Sequence, residues 1–330
     1  MSIKIEIVRP ATEQEWDYSW NKCSYATYYQ SREWAQIWQS YTNGKIRPFP
    51  ERVSFSDGKN VVVPMMREKV YGGLMNRYSL VGPPFIVEKY GNWLTNDTLT
   101  NKHIVVLSNY LTGKYKNLRW RLNPYDENSR WVSVNSKYIL RKPLITFSID
   151  LSGGEDHVYS KLKQSCRNHI KQAINNKLIV TEGKDINHWK KYYEIYQDTI
   201  KRWGAKTLYT FDWKIYESLF YKNYPSIKLW LVWYNDIAIA GGIYFYSHGK
   251  ILGWQMASLT AYRRLRPVHL LEHTIIKDGI NKNYCWYDLG TAGGNKGLEN
   301  FKKSFGPEKI MCDMIISRHP LMYTIKKFIR

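Results

Sequence analysis

Three basic residues recur at intervals of four in the middle of the chain. Lys163, Arg167 and Lys171 follow a strand-like segment, 146–151, and accompany apolar positions whose spacing is helical. Side chains four apart lie on one face of a helix, so these cations would form a ridge suited to phosphate groups. The alternative interpretation is a solvated charged face that binds no ligand.

The pattern HLLEH, residues 269–273, is typical of one class of zinc enzyme. It would place His269 and His273 on one helical face with Glu272 beside them. A third ligand is not evident in the sequence. We therefore favour an ordinary helix and predict no metal site.

The stretch 286–310 combines a short apolar run, a glycine loop and a phenylalanine-flanked pair of lysines. The run ends at Asp288, which either serves as a weak base or caps the following loop. Phe301 and Phe305 stand one helical turn apart and would anchor a helix in the core. An amphipathic surface helix is the alternative.

Net charge favours polyanionic partners. The 330 residues carry a formal charge of +21, with 28 basic against 15 acidic residues in 151–330 and 21 against 13 in 1–150. Such an excess attracts tRNA, nucleotide-sugar phosphates, coenzyme A or an anionic membrane face. The excess is spread along the chain, so no basic tail accounts for it.

Cysteine spacing and hydropathy indicate a cytoplasmic protein. Cys23, Cys166, Cys285 and Cys312 show neither close pairing nor zinc-ligand spacing, which predicts reduced thiols. The N-terminus lacks the apolar core of a signal peptide, and no stretch reaches the length of a spanning helix. We expect a cytoplasmic location, with association at the inner membrane face left open.

Periodicity and turn signals alternate in a way that predicts a mixed α/β protein with mainly antiparallel sheets. Asp57-Gly58 and Gly72-Gly73 mark hairpins, and Ser152 with Glu155 matches a capping box at the start of a helix. Helix-then-strand order appears in both halves, which suggests a structural repeat. The predicted helices lie at 13–41 (two helices), 99–113, 152–174, 186–202, 212–223 and 267–281.

Four segments together resemble the Fem family of non-ribosomal peptidyltransferases and the related FemAB-like and BioF2-like acyltransferases. They are YYQSREWAQIW (28–38), FSIDLSGGEDHVYSKLKQSCRNHIKQA (147–173), YEIYQDTIKRWGAKTL (193–208) and YDLGTAGGNKGLENFKKSFG (287–306). The resemblance implies two tandem GNAT-type (Gcn5-related N-acyltransferase) domains. The first would comprise 1–145 completed by 317–330, and the second would comprise 146–316.

In that family the lysine of the Phe-Lys motif is implicated in holding the oxyanion of acyl transfer, and it matches Lys302. A cation fixed in a partly dry cleft stabilises charge that appears only in the transition state. Asp288 lies where the family's strand opens onto the cleft. The resemblance therefore implies Lys302 as a catalytic residue, with Asp288 or the substrate itself removing the proton.

The resemblance also implies phosphate contacts, one of which departs from the pattern. Arg202 matches an arginine that grips the acceptor's diphosphate, for which a bidentate guanidinium is well suited. Its partner lysine, expected soon after Trp34, is missing, and Arg32 would substitute only if the geometry allows. Further candidates for substrate contact are Trp34, Tyr244, Gln255, Phe301 and Phe305.

The loop that binds the coenzyme A pyrophosphate in ordinary GNAT enzymes corresponds to the segment RRLRPV. Its glycines are absent and Pro267 interrupts the row of amides, although Arg264 and Arg266 could contact phosphate. This difference weakens the case for acyl-CoA as the donor.

We therefore predict an N-acyltransferase that uses aminoacyl-tRNA as donor co-substrate, binds no cofactor, and modifies an amine of a phosphate-bearing cell-wall or cell-surface precursor. Two alternatives stay open. One is an acyl-CoA-dependent transferase acting on an amino sugar, and the other is a non-catalytic RNA- or membrane-binding module on the same fold.

Overall fold

The computed structural model describes residues 2–83, 89–134, 136–204 and 210–318. The helices are α1 (Glu13–Lys22), α2 (Arg32–Tyr41), α3 (Asn101–Lys114), α4 (Gly154–Lys161), α5 (Gln164–Asn175), α6 (Ile186–Trp203), α7 (Trp213–Lys222), α8 (Pro267–Asn281) and α9 (Lys296–Lys303). The strands are β1 (Ile5–Pro10), β2 (Ile46–Pro48), β3 (Glu51–Phe55), β4 (Asn60–Val63), β5 (Met66–Val70), β6 (Met75–Ser79), β7 (Leu118–Arg121), β8 (Ile139–Lys142), β9 (Ile145–Asp150), β10 (Ile179–Glu182), β11 (Ile227–Tyr234), β12 (Ile237–Ser247), β13 (Lys250–Ser258), β14 (Trp286–Gly290), β15 (Glu308–Met311) and β16 (Met314–Ser317).

The chain forms two compact units, divided after Ile145 and again before Met311. The first unit contains a three-stranded sheet, β1-β3-β4, and a six-stranded sheet, β2-β5-β6-β7-β16-β8. β6 and β7 are parallel, and the other pairs described in these sheets are antiparallel. Leu107 and Leu111 of α3 pack into a core with Trp93 and Trp120, as their helical spacing requires.

The late strand β16 belongs to the first unit because it pairs with β7 and β8. Residues 311–316, which the sequence placed in the second domain, therefore lie with the first unit. Of the predicted completing segment 317–330, residues 319–330 lie outside the described part of the chain.

The second unit is built on one seven-stranded sheet, ordered β10-β11-β12-β13-β14-β9-β15. β12 is buried along nearly its whole length, and α6 packs directly on it. A Cβ on Gly241 would lie 2.9 Å from the Tyr192 ring and 2.7 Å from the Trp230 carbonyl oxygen. Glycine is thus required at this position for the helix to approach the sheet closely.

The helix predicted over 152–174 is two helices, α4 and α5. Between them Leu162 is buried and extended, and the backbone N–H of Lys163 donates to the Ser304 carbonyl at 2.9 Å. The predicted capping box is wrong as well. The Ser152 hydroxyl donates to Asp150 Oδ1 at 2.6 Å, and Gly153 is the N-cap without a side-chain hydrogen bond.

None of the helices in the described ranges combines the length and the apolar character that crossing a bilayer requires. All four cysteines are free thiols, with Cys285 exposed and the other three buried.

Candidate active site

The sheet of the second unit opens between two neighbouring parallel strands. β13 and β14 pair at only three positions, from Lys250 opposite Trp286 to Leu252 opposite Asp288. β13 then continues to Ser258, whereas β14 ends at Gly290. Polar side chains that follow the paired stretch therefore lie at a gap in the sheet rather than within a continuous ladder.

Asp288 is the last paired residue before this gap and is almost completely buried. Its Oδ1 accepts a hydrogen bond from the Thr146 hydroxyl at 2.6 Å and another from the Gly290 amide at 2.6 Å. The aspartate thus caps the loop after β14, which is one of the two roles predicted for it from the sequence. These two hydrogen bonds hold the carboxylate against Thr146 and the Gly290 amide, so the structure favours a positioning role for this group.

Lys302 is buried on α9, with 4% of its surface exposed. Its Nζ donates to the Thr291 carbonyl at 2.5 Å, and a Cβ on Gly290 would lie 3.7 Å from that nitrogen. The ammonium is therefore held beside the loop that leaves β14. This burial excludes the alternative of a solvent-facing lysine on a surface helix, whereas the neighbouring Lys303 is half-exposed and pairs with Glu299.

Glu272 supplies a buried carboxyl group in the same interior. This residue of α8 has no exposed surface and accepts hydrogen bonds from the hydroxyl of Tyr244, at 3.1 Å, and from that of Tyr287. Burial raises the pKa of Glu272 from 4.5 to about 7, although both tyrosines and the charge of Lys302 act in the opposite direction. The carboxyl therefore changes protonation near neutral pH.

Glu272 appeared in the sequence only as part of a zinc pattern. Its position on the apolar stripe of α8, beside Leu271 and Ile275, is the signal that would have identified a buried carboxyl. In the described ranges, no three His, Cys, Asp or Glu side chains are grouped as a metal site needs. His269 instead contacts a second histidine, His169 of α5, with 3.2 Å between Nε2 and Nδ1.

The two phenylalanines of the Phe-Lys motif pack against His269 of α8. Phe305 is fully buried, and its ring lies 5.3 Å from that of Phe301. The His269 ring contacts both, at 5.0 Å from Phe301 and 6.0 Å from Phe305. Burial, followed by the charges of His169 and Arg266, lowers the pKa of His269 to about 4. The phenylalanines thus position Lys302 through packing.

Tyr244 and Gln255 are held by internal hydrogen bonds. Tyr244 is fully buried and donates to Glu272. Gln255 Oε1 accepts from Tyr216 at 2.6 Å and from Tyr192 at 3.3 Å. Both side chains therefore support the walls of the second unit, and their proposed contact with substrate stays a prediction.

Arg202 joins the C-terminal end of α6 to the end of β13. Its Nη1 donates to the Ser258 carbonyl and to the Thr260 hydroxyl, each at 3.0 Å, and lies 3.5 Å from Asp198. Burial lowers the pKa of this guanidinium. Much of its hydrogen-bonding capacity is used inside the protein, which leaves less for an acceptor diphosphate.

Arg32 and Trp34 lie in the first unit. The guanidinium of Arg32 contacts Asp17 at 2.6 Å and Glu13 at 2.9 Å. These two carboxylates compensate its charge, which reduces its attraction for a phosphate. Trp34 is completely buried against Trp38, with ring centroids 5.5 Å apart. The described geometry therefore gives both residues a structural role.

The basic ridge on α5 lies next to the turn that precedes α8. Gln172 donates to the Arg264 carbonyl at 3.1 Å, which connects the two segments. Arg266 has a left-handed backbone, φ 61°, at the N-cap of α8. Its Nε is buried and has no hydrogen-bond partner within the described residues. The predicted phosphate contacts are Lys163, Arg167 and Lys171 on this ridge and Arg264 and Arg266 in the turn, which also carries Arg263.

Most of the second unit matches a known domain family. Residues 160–303 match the family described as an acetyltransferase (GNAT) domain. A comparison with curated proteins found no match. The matched stretch contains the strands and helices that hold Glu272, Asp288 and Lys302.

Solved structures match over nearly the whole chain. FemX has a TM-score of 0.68 at 14% identity, covering 97% of this chain and 99% of FemX. L-PGS from Bacillus licheniformis has a TM-score of 0.59 at 12% identity, with 97% of each chain covered. The C-terminal domain (DUF2156) of a putative lysylphosphatidylglycerol synthetase from Agrobacterium fabrum has a TM-score of 0.57 at 10% identity, covering 89% of this chain and 95% of that domain.

These matches confirm the predicted fold, a FemX-like tandem GNAT fold with mixed α/β architecture and largely antiparallel sheets. The match of residues 160–303 to an acetyltransferase (GNAT) domain also confirms the prediction of an acyltransferase.

Proposed function

We propose that this protein transfers an aminoacyl group from aminoacyl-tRNA to an amine of a cell-wall or cell-surface precursor. The observation that carries the proposal is the buried ammonium of Lys302 beside Gly290, at the open end of β14. Acyl transfer develops negative charge on the carbonyl oxygen in the transition state. A preorganised donor at that position contributes about 3 kcal/mol to its stabilisation.

In the proposed reaction the acceptor nitrogen attacks the ester carbonyl carbon, forming a C–N bond and a tetrahedral oxyanion near Lys302. The ester C–O bond to the tRNA ribose then breaks, and the proton lost by the amine passes to the ribose oxygen. Asp288 orients the loop of Gly290. Glu272 has a pKa matched to proton transfer near neutral pH. It accepts a hydrogen bond from the hydroxyl of Tyr287, a residue of β14.

The choice of donor rests on the turn before α8 and on charge. The turn Thr260–Leu265 contains no glycine, and Pro267 at the start of α8 has no amide hydrogen. A backbone cradle for a pyrophosphate is therefore incomplete. Exposed cations on α5 and in this turn, within a chain of net charge +21, suit the many phosphates of an RNA.

A second candidate is an acyl-CoA-dependent N-acyltransferase that acts on an amino sugar. The match of residues 160–303 to an acetyltransferase domain favours it, as does the buried, unpartnered Nε of Arg266. The two candidates differ in the donor, so the first experiment must offer both.

The test measures transfer from bulk labelled aminoacyl-tRNA and, separately, from labelled acetyl-CoA, to a panel of muropeptide and amino-sugar amines. We expect transfer from aminoacyl-tRNA, reduced about 10²- to 10³-fold in kcat/KM by Lys302→Met. Lys303 is the adjacent, half-exposed lysine. Lys303→Met is therefore the matched control and should change kcat/KM by less than about twofold.

Turnover with acetyl-CoA and none with charged tRNA would replace the first proposal with the second. Full activity in Lys302→Met would remove Lys302 from the mechanism whatever the donor. A steep fall of tRNA affinity with salt, together with preference for charged over uncharged tRNA, would support the RNA donor.

A further inference from the structure

The hairpin formed by β5 and β6 ends in a turn that exposes apolar side chains. Tyr71 is 58% exposed and Leu74 is 89% exposed. Between them Gly72 and Gly73 have φ of 68° and 95°, and a Cβ on either would meet no atom within 4 Å. The tip therefore projects away from the rest of the described first unit.

A pocket of about 360 Å³ lies beside this tip. Seven described residues line it, and none of them is acidic. Four of the seven are cationic. The lining residues are Gly44, Lys45, Arg47, Arg67, Lys69, Gly72 and Gly73.

The backbone register concentrates three of these four charges on one face of the sheet. Arg47 of β2 stands directly opposite Arg67 of β5. This arrangement is destabilising because the two like charges repel each other. Lys69, two residues after Arg67, lies on the same face because side chains alternate along a strand. The intervening Glu68 is directed to the other face, where it is buried and contacts Arg77 at 3.2 Å.

Internal partners compensate this positive charge only in part. Lys45 lies 3.8 Å from Glu68 and is largely exposed. Arg47 donates to the Gly44 carbonyl at 2.8 Å, and Arg67 lies over the Phe49 ring at 4.9 Å. Neither of these two contacts neutralises a charge, so the pocket is suited to an anionic ligand.

We propose that this tip and pocket bind the surface of an anionic phospholipid bilayer. The docking surface comprises Lys45, Arg47, Arg67, Lys69, Tyr71 and Leu74. Its cations would contact lipid phosphates, and its two apolar side chains would enter the boundary between headgroups and acyl chains. An almost fully exposed aliphatic side chain favours lipid over RNA, because RNA would leave Leu74 in water.

The docking surface goes beyond the proposed function and does not depend on the identity of the acyl donor. It would concentrate the enzyme where acceptors with a lipid anchor are found. Because binding is measured without turnover, failure of this inference is distinguishable from failure of the proposed reaction.

The test is co-sedimentation of the full chain with vesicles of phosphatidylcholine alone and of phosphatidylcholine with phosphatidylglycerol, across a salt series. We expect binding that requires phosphatidylglycerol and weakens with salt. Removing one charge by Arg47→Gln or Lys69→Gln should weaken it about fivefold. Leu74→Ser should weaken it roughly tenfold, and that loss should persist at high salt.

Matched controls come from exposed positions of the second unit. Lys190→Gln and Lys222→Gln remove exposed lysines from α6 and α7, and Ile179→Ser removes a 61% exposed apolar side chain. These variants should bind vesicles as the wild type does. The thermal midpoint of each variant shows whether it has folded.

Three results would overturn the inference. The first is no preference for vesicles that contain phosphatidylglycerol. The second is equal weakening by docking-surface and control variants. The third is loss of bulk tRNA binding with vesicle retention in Arg47→Gln and Lys69→Gln, which would make the surface an RNA contact.

Discussion

Replacing Glu272 by glutamine should remove the part of the pH dependence of folding stability that Glu272 causes. Burial raises the pKa of Glu272 from 4.5 to about 7 in the folded protein. Between these two values the folded state holds a proton that the unfolded state has released. The stability that Glu272 contributes is therefore complete below pH 4.5 and is lost as pH rises towards 7.

The magnitude follows from the displacement of the pKa. At about 1.4 kcal/mol per pH unit, the total loss is about 3 kcal/mol, of which about 2 to 3 kcal/mol falls between pH 5 and pH 8. Glu272→Gln cannot ionise. Relative to the wild type, the free energy of unfolding of this variant should therefore rise by that amount between the two pH values.

The assay is urea unfolding of wild type and variant at both pH values, followed by tryptophan fluorescence. Glu194→Gln, an exposed glutamate on α6, is the control and should track the wild type. A constant difference between Glu272→Gln and wild type at pH 5 and pH 8 would refute the reasoning.

The same measurement tests whether Lys302 and Glu272 share a site. The charge of Lys302 lowers the pKa of Glu272, so Lys302→Met should raise that pKa further. The pH range over which stability is lost would then extend above 7. An unchanged range in Lys302→Met would contradict the electrostatic link between the two groups.

Two further changes test the packing around the site. His269 has its pKa lowered from 6.5 to about 4 by burial, so its contribution to stability is complete above pH 6.5 and is lost as pH falls towards 4. His269→Gln should remove about 3 kcal/mol of that acid sensitivity, measured by the same unfolding assay. An unchanged loss of stability between pH 6.5 and pH 4 would contradict this prediction. Gly306→Ala should lower the free energy of unfolding by more than about 2 kcal/mol, because φ is 68° and the new Cβ would lie 2.3 Å from the Lys161 carbonyl. A thermal midpoint equal to that of the wild type would contradict the close approach.

Local sequence was sufficient to predict most elements of the fold. It was also sufficient to place Asp288 at the end of a strand and Lys302 on the helix that follows. Helices such as α8 and hairpins such as β5–β6 carry their own periodicity and turn residues, and the observed bounds follow those signals. The Ser152 capping box failed because a competing partner, Asp150, takes the hydroxyl. A side chain near a helix start thus has alternatives that spacing alone does not reveal.

The interior of the site depends on contacts that are distant in sequence. Glu272 meets Tyr244 from 28 residues away and Tyr287 from 15 residues away. No local pattern specifies that three different elements bring these groups together. Arg32 illustrates the same limit, because its pairing with Asp17 at 2.6 Å depends on how α1 and α2 pack rather than on the motif around Trp34.

Glu272 and His269 lie one turn apart on α8 and respond to pH in opposite directions. Burial opposes the charged form of both, so stability falls with rising pH through Glu272 and with falling pH through His269. Their ranges overlap between about pH 4.5 and 6.5, where the two slopes should largely cancel in the wild type. A flat wild-type profile is therefore not a sign that neither group titrates. We expect the single variants to tilt the profile in opposite directions and the double variant to return to the wild-type slope. Tilts of the same sign would show that α8 does not hold both groups in their neutral forms.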